Sequence, residues 1–255
     1  MGNARILHPS PVESKRFGLD IARGTIGPNA TPDSILDDIL ALRPDVAIFR
    51  CAAGDTGQLA ALAGAGLVPL HADTLVYYQA ALAARAGVGS TIVPAVRRSG
   101  PGDEEALAHL VRRSFAGYRN HYHANPWFQP AAILEGYVEW ALAYATSPAP
   151  QKETWVRCEN DEVRGFATCR IDATGSTVEI VLNAVDPDWQ GRGLYSELLD
   201  FLLAHYARSG MTELSVSTQV WNYRVQRAWA RAGLAIDRAY DTYHVNVPKN
   251  FQPGR

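Results

Sequence analysis

The chain has 255 residues, of which 47% are hydrophobic, and its 24 basic residues nearly balance its 26 acidic ones. This length and composition are sufficient for a sizeable core in one or two domains. The balanced charge argues against a protein that binds nucleic acid or a charged membrane surface. No apolar run approaches the roughly 20 residues that span a bilayer, and the N-terminus lacks the apolar core and cleavage site of a signal peptide. We therefore expect a cytoplasmic protein.

The first part of the chain predicts a small α/β domain over residues 1–85, because runs of strand length alternate there with helical patterns. Gly87 and Gly89 then mark a boundary, and a second domain is predicted over residues 91–255. The elements predicted in the first domain are a strand at Arg16–Ile21, a helix at Pro32–Leu42, a strand at Asp45–Cys51, a helix at Asp55–Ala65 and a strand at Leu67–Tyr78.

The second domain has the clearer pattern, an α/β (α+β) order that predicts a mixed sheet flanked by helices. Its long helix shows apolar residues at helical spacing, and its strands are bounded by turn formers. The predicted elements are a strand at Thr91–Val96, helices at Asp103–Tyr118 and Pro130–Ala145, strands at Thr154–Cys158, Arg164–Ile171 and Thr177–Val185, a helix at Gly191–Ser209, a strand at Glu213–Gln219, a helix at Asn222–Ala232 and a final hairpin at Asp237–Val247.

A weak internal echo links the two domains. Residues 51–67 and 218–234 both run from a strand end through a helix to Ala-Gly-Leu, and a tyrosine-bearing strand follows each. The similarity is either chance or a sign that the N-terminal domain is a truncated copy of the C-terminal one. The N-terminal segment lacks the glycine loop described below, so we do not expect it to bind a cofactor.

The cysteines Cys51, Cys158 and Cys169 are isolated and odd in number. Their spacing matches no metal or redox motif. We interpret them as reduced, mostly buried thiols, and a catalytic cysteine stays open as an alternative.

The most informative segment is Asn183–Ser196, in which an apolar strand runs into a glycine-containing loop that opens an amphipathic helix. The unpaired N–H groups and partial positive charge of a helix N-terminus suit phosphate oxygens. Gly191 and Gly193 keep the loop free of bulk and allow positive φ angles. Pro187 stiffens the strand exit, and Gln190 can brace the loop. The segment therefore predicts a pyrophosphate cradle.

The motif Gln190-Gly-Arg-Gly-Leu-Tyr195 resembles the Gln/Arg-x-x-Gly-x-Gly/Ala signature of the GNAT family of N-acetyltransferases. Asn222 opens the next helix where that family usually has an asparagine, and the resemblance covers about residues 91–247. It implies a sheet that splays open between its fourth and fifth strands, with acetyl-coenzyme A as the acyl donor. The coenzyme-binding residues that it implies are Asn183, Ala184, Val185, Gln190, Gly191, Arg192, Gly193, Leu194, Tyr195, Ser196, Asn222 and Trp229.

A narrower resemblance, to sugar-nucleotide N-acetyltransferases of the dTDP-fucosamine acetyltransferase type, covers nearly the whole chain. It implies a truncated GNAT-like domain before the GNAT domain, and an amino sugar in nucleotide-linked form as the acceptor. Another small amine, such as an aminoglycoside or an amino acid, and a non-catalytic acyl-coenzyme A sensor stay open as alternatives. The matching pieces are Phe17–Leu19, Ala53–Leu59, Ser114–Ala116, Pro126–Phe128 and Thr218-Gln219.

Acetyl transfer to an amine needs a base or a water path for the amine proton, and a donor for the leaving thiolate. Glu179 is the candidate base, since some family members place a basic glutamate at this position; a solvent-facing carboxylate is the alternative. The family's usual general acid is a tyrosine, but Trp229 stands at that position, and an indole N–H donates a hydrogen bond without supplying a proton. Three interpretations stay open: the thiolate leaves with hydrogen-bond help only, another tyrosine donates, or the domain binds acyl-coenzyme A without turnover. Among the tyrosines we take Tyr243 as the catalytic candidate, beside Tyr223 and Tyr240.

Tyr195 is a second departure, because the family signature has a small residue there; we interpret it as a helix-face tyrosine packed on the sheet. In the family, the loop between the first two helices borders the acceptor. The acceptor-binding candidates in that loop are His121, His123, Trp127 and Phe128, with a structural aromatic cluster as the alternative. No metal is expected. As partners we expect a small-molecule amine, and neither nucleic acid nor a membrane; a homodimer stays open.

Overall fold

The computed structural model describes residues 5–83, 95–146 and 149–252. Within these ranges the chain forms two compact units. The first unit consists of residues up to 76 together with 119–133 and the residues from 238 onward, and the second consists of 77–118 and 134–237.

Neither unit is a single stretch of chain. The segments 119–133 and 238–252, which the sequence assigns to the second domain, pack into the first unit. The predicted domain boundary falls within residues 84–94, which lie outside the described residues. The division into domains at 1–85 and 91–255 therefore stays a prediction, and the compact units are a separate finding.

The described residues contain ten strands and seven α-helices, numbered here in chain order. The strands are β1 (Leu7–Pro9), β2 (Ile21–Thr25), β3 (Val46–Ala52), β4 (Pro69–Ala81), β5 (Val96–Arg98), β6 (Lys152–Glu159), β7 (Glu162–Ile171), β8 (Thr177–Val185), β9 (Glu213–Gln219) and β10 (Ala235–Asn246). The helices are α1 (Pro11–Phe17), α2 (Pro32–Leu42), α3 (Gly57–Gly64), α4 (Glu104–Phe115), α5 (Pro130–Ala145), α6 (Leu194–Arg208) and α7 (Tyr223–Arg231).

In the first unit the strands follow the order β1-β2-β3-β10-β4, to which β4 contributes its residues up to 76. β2 and β3 are parallel, and β3 and β10 are antiparallel. Helices α2 and α3 cover one face of these strands through Ile35, Ile39 and Leu62, which are almost fully buried with Phe49 of β3. This apolar layer is the core of the first unit.

Two predictions at the ends of the chain are wrong. Residues 16 and 17 close helix α1, which has Pro11 in its first turn and Gly18 in a left-handed C-cap with φ of 66°, so the strand begins only at Ile21. The predicted hairpin at Asp237–Val247 is one continuous strand, because β10 pairs with β3 over its whole second half, from Tyr240 onward.

In the second unit the order is β4-β9-β8-β7-β6-β5, to which β4 contributes its residues from 77 onward. β5 to β8 form an antiparallel series, and β8 and β9 are parallel. The predicted helices and strands from residue 103 to 232 are confirmed to within a few residues at their ends. The first predicted strand, Thr91–Val96, lies mostly outside the described residues, and β5 begins at its last position.

Strands β8 and β9 separate partway along their length. Their parallel pairing covers Thr177–Ile180 against Glu213–Val216 and extends no further among the described residues. β8 continues to Val185, still paired with β7, so the edge that faces β9 is left open there. The predicted splay between the fourth and fifth strands of the domain is therefore confirmed.

The internal echo extends to the helix ends. The N–H of Leu67 donates to Leu62 O at 3.0 Å after α3, and the N–H of Leu234 donates to Trp229 O at 3.0 Å after α7. The glycine before each leucine has a positive φ, 90° at Gly66 and 80° at the equivalent position 233. Both helices thus end in the same glycine C-cap, which extends the predicted similarity beyond the sequence pattern.

Candidate functional site

The opening between β8 and β9 provides an unpaired strand edge. Asn183, Ala184 and Val185 lie in the open part of β8, and on the other side they pair with Ala167, Phe166 and Gly165 of β7. Their peptide groups on the β9 side have no strand partner among the described residues. Such an edge suits a ligand with amide groups, because an extended chain can pair with it as an added strand does.

The loop after β8 leads into an uncapped helix. Gly191 and Gly193 have φ angles of 81° and 88°, in the left-handed region that favours glycine. Gly193 is the N-cap of α6 and provides no side chain to cap it; the first bond into the helix runs from Glu197 N–H to Gly193 O at 3.0 Å. The N–H groups of Leu194, Tyr195 and Ser196 precede that bond and point out of the helix end. The predicted cradle geometry is thus present.

Gln190 braces the loop from two sides. Its Nε2 donates to Val185 O at 3.3 Å, and its Oε1 accepts from Arg224 Nη1 at 2.7 Å. The side chain therefore ties the strand end to helix α7. The bracing agrees with the sequence interpretation, but Arg224 was not identified there, since an exposed arginine on an amphipathic helix carries no specific signal.

Asp186 anchors the strand exit, and the sequence analysis missed it. Its side chain is only 4% exposed and is held by Arg164 at 3.2 Å and Arg113 at 3.3 Å. Its Oδ1 accepts from the N–H of Asp188 at 3.1 Å, and Asp188 pairs with the same Arg113 at 2.6 Å. A buried carboxylate with two arginine partners holds its geometry closely, so this network fixes where the glycine loop begins. An Asp before Pro187 was its only sequence signal.

Arg192 lies on an aromatic ring beside the loop. Its guanidinium is 4.6 Å from the centroid of Trp189, and Arg164 lies 5.1 Å from the same ring. Cation–π contacts of this kind at an exposed site are worth about 0.5–1 kcal/mol. They keep positive charge close to the N-terminus of α6, where the helix dipole also favours an anion.

The two departures from the family pattern contact each other. Trp229 is 1% exposed, and its Nε1 donates to the hydroxyl of Tyr195 at 2.6 Å. Burial raises the pKa of Tyr195, although the Trp229 hydrogen bond acts in the opposite direction. The Trp229 ring also packs edge-on against Tyr78, with centroids 5.3 Å apart. The indole N–H is therefore committed to Tyr195, and Tyr195 is a packed, un-ionised phenol.

Asn222 lies at the start of α7 but does not cap it through its side chain. Its Nδ2 donates to Thr218 Oγ1 at 3.0 Å. Thr218 also contacts the hydroxyl of Tyr118, which donates a short hydrogen bond to Gln219 Oε1. Tyr118 was not identified from the sequence, since it lies just after α4, about a hundred positions earlier in the chain.

Glu179 lies one residue before the last pair of the β8–β9 register. It alternates with the buried Val178 and Ile180, as predicted, and its side chain is 24% exposed. It forms a short ion pair with Arg170 of β7. The pair engages only Oε2 of the carboxylate.

The acceptor-binding candidates all lie in the first unit, and they divide by burial. Phe128 is 3% exposed and packs against Phe17, and His121 is 6% exposed. These contacts match the structural aromatic cluster that the sequence also allowed. Trp127, in contrast, is 44% exposed, and His123 is partly exposed while its Nδ1 holds Asn120. Only the latter two candidates present an accessible side chain.

Tyr243 also belongs to the first unit, on the α2–α3 side of β10. Its ring lies 5.1 Å from His71, and burial raises the pKa of its hydroxyl. The coenzyme-binding candidates all belong to the second unit. The second unit thus contains the loop residues together with Asn222 and Trp229. The first unit contains the acceptor-binding candidates His121, His123, Trp127 and Phe128. The role of Tyr243 stays a prediction.

The three cysteines are free thiols. Burial raises the pKa of Cys51 to about 11 and that of Cys169 to about 12. A thiol with so high a pKa is a poor nucleophile at neutral pH. We expect iodoacetamide to label native protein at Cys158, which is partly exposed, and to reach the other two only after unfolding; peptide mass spectrometry would measure this. Fast labelling of Cys51 or Cys169 in the native chain would revive the catalytic-cysteine alternative.

Two further classes of feature are absent from the described residues. None of their helices is long and apolar enough to cross a membrane. No group of three or more His, Cys, Asp or Glu side chains among them is arranged to hold a metal ion.

Comparison with known proteins points to one family. The sequence model of the Acetyltransferase (GNAT) family matches residues 108–234. The spore coat polysaccharide biosynthesis protein SpsD of Bacillus subtilis (strain 168) is 27% identical over 147 residues, which are 57% of this chain and 48% of that protein. The chain thus spans about half the length of this curated relative.

Solved structures resemble the chain in fold. A conserved protein of unknown function from Staphylococcus epidermidis ATCC 12228 has a TM-score of 0.63 at 14% identity, covering 97% of this chain and 94% of the other. A GCN5-related N-acetyltransferase from Sphaerobacter thermophilus has a TM-score of 0.58 at 17% identity, covering 91% of this chain and 75% of the other. At these identities the likeness concerns the fold.

Proposed function

We propose that the chain, whose residues 108–234 match the acetyltransferase (GNAT) family, is an acyltransferase that transfers an acetyl group from acetyl-coenzyme A to the amine of an amino sugar in nucleotide-linked form. The observation that carries the proposal is the combination of an open β8 edge with an uncapped α6 behind a loop of two left-handed glycines. The open β8 edge suits the amides of pantetheine, and the N-terminus of α6 suits a pyrophosphate.

In this proposal the residues of the second unit hold the donor. Pantetheine pairs with the backbone of Asn183–Val185, and the pyrophosphate accepts from the N–H groups at the start of α6. Arg192 lies close enough to that helix end to leave Trp189 for a phosphate. A backbone N–H near Val185 polarises the thioester carbonyl. The coenzyme supplies an activated acyl group with a thiolate as its leaving group.

The transfer is a direct attack without a covalent enzyme intermediate. The amine lone pair forms the new N–C bond at the carbonyl carbon, and the C–S bond breaks with its electron pair on sulfur. The amine proton passes to a base, for which Glu179 is the candidate, or to water. The thiolate takes a proton from solvent or from a tyrosine such as Tyr243, since the Trp229 N–H is committed to Tyr195.

Glu179→Gln is the test of the base. We expect kcat to fall by about 10²–10⁴-fold, the usual contribution of a positioned base, with a changed pH dependence and little change in KM for acetyl-coenzyme A. Steady-state kinetics across pH would measure it. Glu135→Gln is a matched control, because Glu135 is also held by an arginine, Arg112 at 2.8 Å, on the outer surface of α5. Equal rates in both variants would remove Glu179 as the base.

The acceptor class is supported by resemblance and by two accessible side chains. The relative named for spore coat polysaccharide biosynthesis suggests a sugar, and the exposed ring of Trp127 can stack on one. An aminoglycoside or an amino acid is the competing acceptor. Release of coenzyme A thiol, followed colorimetrically over a panel of amino-sugar nucleotides, aminoglycosides and amino acids, tests the proposal. The highest kcat/KM is expected for an amino-sugar nucleotide, and a clear preference for either other class would replace that acceptor.

A non-catalytic acyl-coenzyme A sensor is the second candidate function, and the Trp229–Tyr195 hydrogen bond favours it. Trp229 stands where the family usually has its general acid, and its indole N–H gives a hydrogen bond to Tyr195 but cannot transfer a proton. Tight coenzyme binding without thiol release with any amine of the panel would support the sensor.

A further inference from the structure

The strands of the first unit have two unlike faces. The face under α2 and α3 is apolar, with Phe49 and Val245 fully buried in it. On the opposite face β10 presents Thr242 and His244, which are both 0% exposed. A fully buried polar side chain normally has a hydrogen-bond partner. The question for this second face is therefore which groups pair with its polar side chains.

The register places polar residues side by side on that face. Arg50 of β3 is paired with Thr242 of β10 and with Thr25 of β2. One step along, Ile48 of β3 is paired with His244 of β10, and Arg23 of β2 is its partner on the other side. Alternate residues of a strand share a face, and neighbouring strands lie about 4.8 Å apart. The two arginines, the threonine and the histidine therefore form one patch.

Three groups of this patch lack partners among the described residues. Arg50 forms no ion pair there, and its buried Nε has no acceptor. The Oγ1 of Thr242 and the Nδ1 of His244 are also buried without a hydrogen-bond partner. Arg50 is partly exposed, but its buried Nε lacks an acceptor, and a guanidinium donor of this kind is one that a bound anion would satisfy.

The two carboxylates near the patch act on its outer arginine, Arg23. Glu13 pairs with Arg23 at 2.8 Å and accepts a short hydrogen bond from the hydroxyl of Tyr122. Asp73 of β4 acts on Arg23 electrostatically. His121 Nδ1 lies 2.8 Å from His244 Nε2, so these two rings share one hydrogen bond. Burial, with a contribution from Arg23, lowers the pKa of His244 to about 3, which leaves it neutral. In the tautomer in which Nε2 accepts from His121, Nδ1 carries the proton and can donate to an anion.

We propose that this patch is a binding site for an anionic group of a small molecule, a phosphate or a carboxylate, held by Arg50 with Thr242 and His244 and flanked by Arg23. Arginine matches both anions through its fork of donors, and a threonine hydroxyl adds a further donor. The side chain of Arg23 is 33% exposed and Thr25 is exposed, so the patch is open to solvent at that end. The inference does not depend on the reaction proposed above.

The test is titration calorimetry of the full chain with inorganic phosphate, pyrophosphate and acetate, at constant ionic strength. Saturating coenzyme A is present in one arm, so that the loop at α6 is filled. We expect saturable binding of a phosphate or carboxylate probe, weakened at least tenfold by Arg50→Met and several-fold by Thr242→Val. Arg43→Met is the matched control; it removes an exposed arginine of the same unit at the end of α2 and should bind as the unchanged protein does.

A second measurement separates binding from structure. Without any anion, Arg50→Met should unfold at the same temperature or higher, because an uncompensated charge is removed, and its shift on adding the anion should disappear. The proposal is overturned if no probe binds saturably, or if the Arg50 and Arg43 variants behave alike. It is also overturned if Arg50→Met lowers the unfolding temperature while the anion shift persists. If the protein does not bind coenzyme A, the comparison of the Arg50 and Arg43 variants can still be made. The anion site and the acetyl-transfer proposal can therefore be rejected independently.

Discussion

Gly193→Ala is expected to weaken the binding of coenzyme A by roughly 5- to 30-fold. Gly193 has a φ of 88°, a left-handed conformation that costs a residue with a side chain about 1–2 kcal/mol, and each 1.4 kcal/mol corresponds to about tenfold in affinity. A Cβ at this position would meet no atom closer than Glu197 Oε1 at 4.0 Å, so the free protein has room for the methyl group. The loop can relax to relieve the strain, and the coenzyme must then restore the conformation that aims the N–H groups of α6 at its phosphates.

Gly210→Ala separates this effect from simple destabilisation. Gly210 follows the other end of the same helix with a φ of 81°, and a methyl group added there would meet open space. The same backbone penalty therefore applies, away from the cradle. We expect both variants to lose similar free energy of unfolding in urea, and only Gly193→Ala to lose coenzyme affinity by calorimetry. Unchanged affinity in Gly193→Ala would mean that the loop does not hold the pyrophosphate in this conformation.

The second unit could be predicted from local pattern because its elements carry complete signals. Leu194, Leu198 and Leu202 mark the buried face of α6, and all three are at most 4% exposed. Residues 177–183 alternate in burial as a half-covered strand should. The glycine loop was predictable for a related reason, since left-handed conformations restrict the residue type at single positions.

The errors fall where distant parts of the chain decide the structure. The last strand, β10, was predicted as a hairpin, but its partner is β3, which lies almost two hundred positions earlier in the chain. Its aromatic and β-branched residues indicated strand locally but not which strand they pair with. Phe128 shows the same dependence on distant residues, because Phe17 and His244, from both ends of the chain, contact its ring. Its role toward an acceptor stays a prediction.

In the candidate site, residue types were predictable but their contacts were not. Gln190 could be identified as a brace, whereas its partner Arg224 stands 34 positions away on an ordinary helix face. Tyr195 and Trp229 were noted separately as departures from the family pattern. Their hydrogen bond depends on how α6 and α7 pack, which no spacing in the sequence encodes.

Trp229→Phe is expected to lower the free energy of unfolding by more than about 1 kcal/mol. Trp229 is 1% exposed, and replacing it by phenylalanine leaves unfilled space and leaves the Tyr195 hydroxyl without its donor. A buried polar group without a partner costs about 1–3 kcal/mol, and truncation of a buried aromatic adds to this, with about 3–5 kcal/mol as the limit for complete removal to alanine. Urea unfolding would measure the change. Trp127→Phe, at a ring 44% exposed, is the control and should stay within about 0.5 kcal/mol.

The double variant Trp229→Phe with Tyr195→Phe tests whether the hydrogen bond is the cause. Tyr195→Phe alone removes the hydroxyl and leaves the buried Trp229 N–H without its acceptor, which should cost about 1–3 kcal/mol. In the double variant no orphaned hydroxyl remains, so we expect it to be more stable than the sum of the single changes predicts, by about 0.5–3 kcal/mol for a contacting pair. Additive losses would mean that the two side chains are not coupled. In that case the Trp229 N–H is free to act elsewhere, and the hydrogen bond no longer argues for a non-catalytic sensor.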